Sequence, residues 1–180
     1  LYVQDADYIA APRVVVDPST VTGPLHGLQM ALPRWSPDGT RIAFIGGLMS
    51  DQGATGGDLY SVSPNGGEPT NLTAGITVTP EWFAWAGNDA LTVSQNAKGK
   101  VQLARYDIRG DHATAQAPYF TVPAMIGAGG AVLSVSLSAD HRDVAFEQSS
   151  FEHAPEVHAG RLDGTPPPAV TTLNAGLKPA

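Results

Sequence analysis

Apolar positions along this chain come in short bursts separated by turn residues, and they alternate with a period of two rather than recurring every three or four residues. "DLYSVS" (58–63) has this form, and "RIAF" (41–44) and "DVAF" (143–146) read as alternating or fully buried strands. In "DLYSVS" the alternation puts Leu59 and Ser61 on one face of a strand and Tyr60 and Val62 on the other. No window carries apolar residues at helical spacing for more than two turns, and proline interrupts most candidates, so the chain is expected to be all-β.

The bursts repeat. "WSPDGTRIAF" starts at Trp35, "WAGNDALTV" at Trp85 and "LSADHRDVAF" at Leu137, at spacings of 50 and 52 residues. A second series follows each window: "LYSVSPNG" from Leu59, "LARYDIRG" from Leu103 and "VHAGRLDG" from Val157, ending on Gly66, Gly110 and Gly164. Thr73 and Thr171 stand seven residues beyond the first and last of these glycines. Ser36-Pro37-Asp38-Gly39 reads as a tight turn: proline presets φ, the aspartate bonds back to the backbone and glycine takes the positive φ that follows. Asn88-Asp89 and Asp140-His141 hold the same place less ideally. "NGG" (65–67) and "DGT" (163–165) are hairpin turns, and "PTNLT" and "PAVTT" are short closing strands.

Four short antiparallel strands in a unit of about 50 residues describe a propeller blade. The expected fold is a partial β-propeller: three blades at 28–75, 76–122 and 123–175, with 1–27 as the end of a preceding blade. Each blade must bury both faces against neighbours, so an arc of this size is expected to leave two apolar faces open. The chain then reads as part of a larger ring, with 176–180 leading towards a missing domain; the alternative is a short propeller closed by oligomerisation through those faces. The opening "LYVQDADYIA", without Met or a signal-peptide pattern, fits a piece of a longer product.

Composition narrows the function classes. A net charge of −7 repels phosphate backbones, and no basic run is available to hold an anionic membrane, so neither nucleic acid nor membrane is an expected partner. The absence of cysteine excludes disulfides, thiolate nucleophiles and Cys-ligated zinc, and leaves the compartment open between cytoplasm and periplasm.

The unit "PRWSPDGTRIAFIGG … DLYSVSPNGGEPTNLT" resembles the Trp-Ser-Pro-Asp-Gly blade of TolB and of the propeller in the prolyl oligopeptidase family, notably its acylaminoacyl-peptidase and dipeptidyl-peptidase branches. Residues 136–177 look like the last propeller blade of those peptidases, with the Pro155-Glu156 pair before a strand and the exit Val170-Thr171-Thr172-Leu173-Asn174. The exit departs from the family's pattern, with valine in the leucine place and the asparagine one position late. The resemblance implies a serine peptidase whose propeller restricts peptide access to an α/β-hydrolase domain. That domain and its peptide substrates are the implied partners. No triad residue carries over: Gly-x-Ser-x-Gly is absent, and His26, His112, His141, His153 and His158 fall in turns or blade strands. TolB implies the other class, a propeller that docks proteins and has no enzyme attached.

Sharper sites fare poorly beside structural explanations, and no catalytic, cofactor or metal residue is expected. Trp35, Trp82 and Trp85 could form a ligand platform, but two occupy or adjoin the repeated position where a large ring packs between blades. "GGLMSDQGATGGD" (46–58) reads as a long glycine-rich loop, facing a substrate or partner or simply mobile, without the Lys-Ser/Thr ending of a phosphate cradle. Glu152, His153, Glu156 and His158 are close enough in sequence to suggest a metal site, yet strand geometry puts 153 on the opposite side from the others. Asp5 and Asp7 lack an EF-hand continuation, and "NLT" (71–73) coincides with a closing strand. A glycosidase pair is disfavoured because Asp38, Asp140 and Asp163 fall in turns that backbone geometry accounts for.

Overall fold

The structure, a computed structural model, describes residues 1–50, 53–127, 133–174 and 176–177. Its regular structure is β throughout apart from one turn of 3₁₀ helix at Gly23–Leu25, whose proline sits in the first turn. A two-stranded ribbon pairs β1 (Tyr2–Val3) with β2 (Arg13–Val14). The first four-stranded sheet then runs in sequence order: β3 (Gln29–Trp35), β4 (Ile42–Ser50), β5 (Gly53–Val62) and β6 (Thr70–Asn71).

The second sheet is β7 (Thr79–Trp85), β8 (Ala90–Ala97) and β9 (Lys100–Arg109), closed by a fourth strand in two pieces. These pieces, β10 (His112–Ala115) and β11 (Phe120–Val122), both pair with β9. In the third sheet it is the first strand that is split. There β12 (Met125–Ile126) and β13 (Ser136–Leu137) both pair with β14 (Asp143–Ser149), and β15 (Glu156–Arg161) lies on its other side. A single bridge from His158 to Ala169 stands where the other sheets carry a fourth strand.

The repeated turn is built twice from the same bonds. Ser36 Oγ donates to Asp38 Oδ1 at 2.7 Å and accepts from the Arg41 N–H at 2.9 Å. Ser138 Oγ does the same with Asp140 Oδ1 at 2.7 Å and the Asp143 N–H at 2.9 Å. The left-handed corner is Gly39 (φ 69°) in one turn and His141 (φ 57°) in the other. In the shorter middle turn Gly87 takes the positive φ. The glycines that end the second series also adopt positive φ: 90° at Gly66, 63° at Gly110 and 100° at Gly164.

Residues 46–58 correct the sequence reading. Of these, 46–50 and 53–58 are not a loop but the paired ends of β4 and β5, and 51–52 lie outside the described residues. The glycines serve close backbone approach: a Cβ on Gly47 would stand 1.7 Å from the Gly56 carbonyl oxygen, and one on Gly57 2.2 Å from that of Gly46.

Each sheet has two faces, and strand alternation assigns the residues. Ile42, Phe44, Tyr60 and Val62 turn towards the N-terminal segment and are buried there with Val15, Val16 and Leu25. The opposite face, with Ala43, Ile45 and Leu59, packs on Phe83, Trp85, Leu91 and Val93 of the second sheet. The second sheet's other face, with Trp82, Val101 and Leu103, packs on Val144 and Phe146 of the third. We call the face turned towards the N-terminus leading and its opposite trailing. Residues 1–28, expected as the end of a preceding blade, bury the leading face of the first sheet, and among the described residues no sheet lies over the trailing face of the third.

Candidate functional site

The first two sheets meet through their inner strands and turns. Arg41 crosses the junction, donating to the Asn88 carbonyl and pairing with Asp89 at 2.7 Å, and its guanidinium lies 5.4 Å from the centre of the Trp85 ring. Trp85 Nε1 donates to the Arg34 carbonyl at 3.1 Å. Arg34 lies over Trp82, at 5.4 Å from the ring centroid, and Phe83, at 5.9 Å. Partial burial of its guanidinium lowers its pKa. Trp82 and Trp85 are therefore inter-sheet packing, each 7% exposed. Trp35, at the position that repeats as Trp85, differs: it is 50% exposed, because residues 1–28 cover the strands beside it and not its ring.

A second construction recurs at the outer edge of the sheets. Thr73 Oγ1 donates to Asp58 Oδ1 at 3.1 Å and accepts from the Leu59 N–H at 2.9 Å, while Asn71 Nδ2 donates to Asp58 Oδ2 at 2.8 Å. In the third sheet Thr171 Oγ1 donates to Glu156 and accepts from the Val157 N–H at 2.9 Å. The Asn174 N–H donates to Glu156 Oε1 at 2.5 Å, and the Asn174 amide donates to the Pro155 carbonyl at 2.5 Å. These bonds favour the carboxylate and lower the Glu156 pKa. The "NLT" asparagine is thus part of a strand-closing clamp. The residue types of both clamps are visible in the sequence; their mutual bonding is not, since the acid and its threonine lie fifteen residues apart.

Glu152, His153, Glu156 and His158 all line one cavity of about 410 Å³ beside Val122 and Ala124. They do not converge on a common point. Glu156 is held by the clamp, His158 Nδ1 contacts the Pro167 carbonyl at 2.8 Å and stacks on Phe146, and His153 Nδ1 lies 3.3 Å from Ser150 Oγ. Among the described residues no group of three or more His, Asp or Glu is placed to hold a metal ion. Asp7 caps a turn through the Ile9 N–H at 3.1 Å. Asp38, Asp140 and Asp163 have lowered pKa values, chiefly from the Ser36, Ser138 and Thr165 hydroxyls, as their turn positions require.

The acid that sequence reading missed is Glu81. It sits at the bulge between Pro80 and Trp82 in β7, 1% exposed, with Asn96 donating to it, and burial raises its pKa. A lone glutamate between proline and tryptophan carries no sequence signal for that burial.

No family model and no curated protein matches this sequence. Solved structures do match the fold. A prolyl endopeptidase is similar over 89% of this chain and 23% of its own, at 22% identity and a TM-score of 0.53. A protein described as TolB from Agrobacterium tumefaciens is similar over 84% of this chain and 49% of its own, at 17% identity and a TM-score of 0.52. A puromycin-hydrolyzing peptidase of Mycobacterium tuberculosis is similar over 86% of this chain and 22% of its own, at 17% identity and a TM-score of 0.51. The chain is thus an all-β array of small antiparallel sheets resembling propeller portions of these proteins. It spans about a quarter to a half of their lengths.

Proposed function

We propose that this chain is the non-catalytic propeller part of a serine peptidase of the prolyl oligopeptidase kind, with blades at 28–75, 76–122 and 123–175. Its role is to limit which peptides reach a hydrolase domain carried elsewhere in the protein. The observation that supports this most is the clamp of Pro155-Glu156 onto Thr171 and Asn174. These are the residues whose sequence resembles the family's last blade and exit. Likeness to two peptidases among the solved structures adds to it.

A second reading, a TolB-like propeller that docks other proteins, is favoured by the larger share of the Agrobacterium tumefaciens protein that this chain spans. The intact mass of the native gene product, taken with its reactivity towards a fluorophosphonate probe, separates the two. A product several times 18.7 kDa that labels on serine supports the peptidase. A large product that stays unlabelled supports the docking propeller.

A further inference from the structure

Two cavities adjoin where the second and third sheets meet, and their linings differ in chemistry. The cavity of about 410 Å³ carries Glu152 and Glu156. A second, of about 440 Å³, is lined by Val101, Met125 and Phe151 among others. Pro123, Ala124, Ser149 and Ser150 belong to both walls, so the two form one cleft with an apolar and an acidic end.

The apolar end is peculiar to the third sheet. The second sheet joins β8 to β9 through Lys98-Gly99 alone, whereas the third spans the same place with residues 150–155. Ser150 fixes this longer connection: its Oγ accepts the Glu152 and His153 N–H groups, both at 3.1 Å, and its own N–H donates to the His153 carbonyl at 2.9 Å. The turn holds Phe151 wholly exposed on the same cavity as Met125, which is more than half exposed. Two large apolar side chains kept in water on one cavity wall mark a place where another molecule packs.

Charge decides what that molecule carries. Bonds from the Thr171 hydroxyl and the Asn174 N–H keep Glu156 ionised, and Glu152 is exposed. Among the described residues no lysine or arginine pairs with either acid or lines either cavity. The two histidines there have other partners, His153 at Ser150 and His158 at the Pro167 carbonyl. The acidic end therefore favours a cation from outside. In an extended polypeptide, residues two apart point to one side and lie about 7 Å from each other, so a single segment can fill both ends.

We propose that this cleft binds an extended segment of another polypeptide. An apolar side chain lodges beside Met125 and Phe151, and a lysine or arginine two residues away meets Glu152 and Glu156. The inference goes beyond the peptidase and docking readings and rests on neither.

The probes are end-blocked, coumarin-labelled peptides with a central leucine-glycine-lysine, in either order, in a glycine-serine background. Their binding to the 180-residue chain is read by fluorescence anisotropy. Saturable binding is expected for at least one order, and added salt should weaken it. Exchanging the peptide's lysine for glutamate, or its leucine for serine, should each weaken binding by about tenfold or more. Phe151→Ser should match the leucine exchange, and the two together should cost little more than either, since both empty the same end. Glu152→Lys should erase the preference for lysine over glutamate. Both positions are exposed, so these variants should keep the parent's thermal midpoint. Leu48→Ser, an exposed apolar change on the first sheet, should leave binding unchanged.

No saturable binding in either order overturns the proposal. So does binding that Leu48→Ser weakens as much as Phe151→Ser, which is adsorption to exposed apolar groups. Indifference to both Glu152→Lys and the lysine-to-glutamate exchange overturns the acidic end. Hexylammonium that binds as tightly as the peptide overturns a polypeptide occupant in favour of a small amphiphilic cation. Fluorophosphonate labelling tests the peptidase reading separately, so failure of one is not mistaken for failure of the other.

Discussion

The first and third sheets are written in the same grammar and differ in company. Their turns share the Ser–Asp bond at the same length, and their outer edges share the acid–threonine clamp. Yet Leu59 on the first trailing face is 0% exposed, while Val157 at the matching position of the third is 41% exposed. Local bonds are therefore properties of the unit, and burial is a property of the array. A strand's alternation states which side chains share a face but not whether anything lies upon it.

Matched substitutions turn this contrast into numbers. The widest gap is expected between the two repeat tryptophans. Trp85→Ala removes a buried ring and its bond to the Arg34 carbonyl and should cost about 3–5 kcal/mol, whereas Trp35→Ala should cost below about 1 kcal/mol. Urea unfolding of the two variants checks this; equal losses would mean that Trp35 is packed in solution. Next comes the trailing-face pair. Leu59→Ala should lose about 2–5 kcal/mol and Val157→Ala below about 1 kcal/mol in the chain alone. If a further sheet docks on the third, the Val157→Ala cost should rise in the native product, and an unchanged cost would count against docking.

What was legible in the sequence follows the same line. The turn at 36–39, the faces of residues 59–62 and the three repeat units are local patterns, and the structure carries them. Residues 46–50 and 53–58 read as a loop because glycine is usually a turn residue; here Gly47 and Gly57 face each other across a ladder, a condition set by the partner strand. The split strands β10/β11 and β12/β13 were missed because pairing with β9 and β14, not propensity, defines them. Glu81 was missed because its burial is made by neighbours distant in sequence.

The clamps give a finer comparison. Thr73→Val keeps the shape but leaves the Leu59 N–H without its partner beside a fully buried threonine, at an expected cost of about 1–3 kcal/mol. Thr171→Val strips the same bond from the Val157 N–H where water can replace it, so its cost should stay below about 1 kcal/mol. Thermal unfolding of both variants measures the difference, and a reversed order would contradict the assignment of burial to the two edges.

Acid titration should show the smallest effect, and here the first and third sheets should agree rather than differ. Asp38 and Asp140 both have pKa values below the ordinary 3.8, held there by Ser36 and Ser138. Their contribution is complete above that value and is lost as the pH falls through the lowered one. Glu81 has the opposite sign: burial raises its pKa above 4.5, so ionisation costs stability at neutral pH and the cost is relieved as the solution is acidified. Asp38→Asn and Asp140→Asn should therefore lower stability at pH 7 by similar small amounts and flatten its loss below about pH 4. Glu81→Gln should instead remove the gain on acidification, and its urea midpoint should change less between about pH 7 and pH 4 than that of the parent. If Asp38→Asn alone flattened the acid limb, the two turns would not be equivalent, whatever the likeness of their bonds.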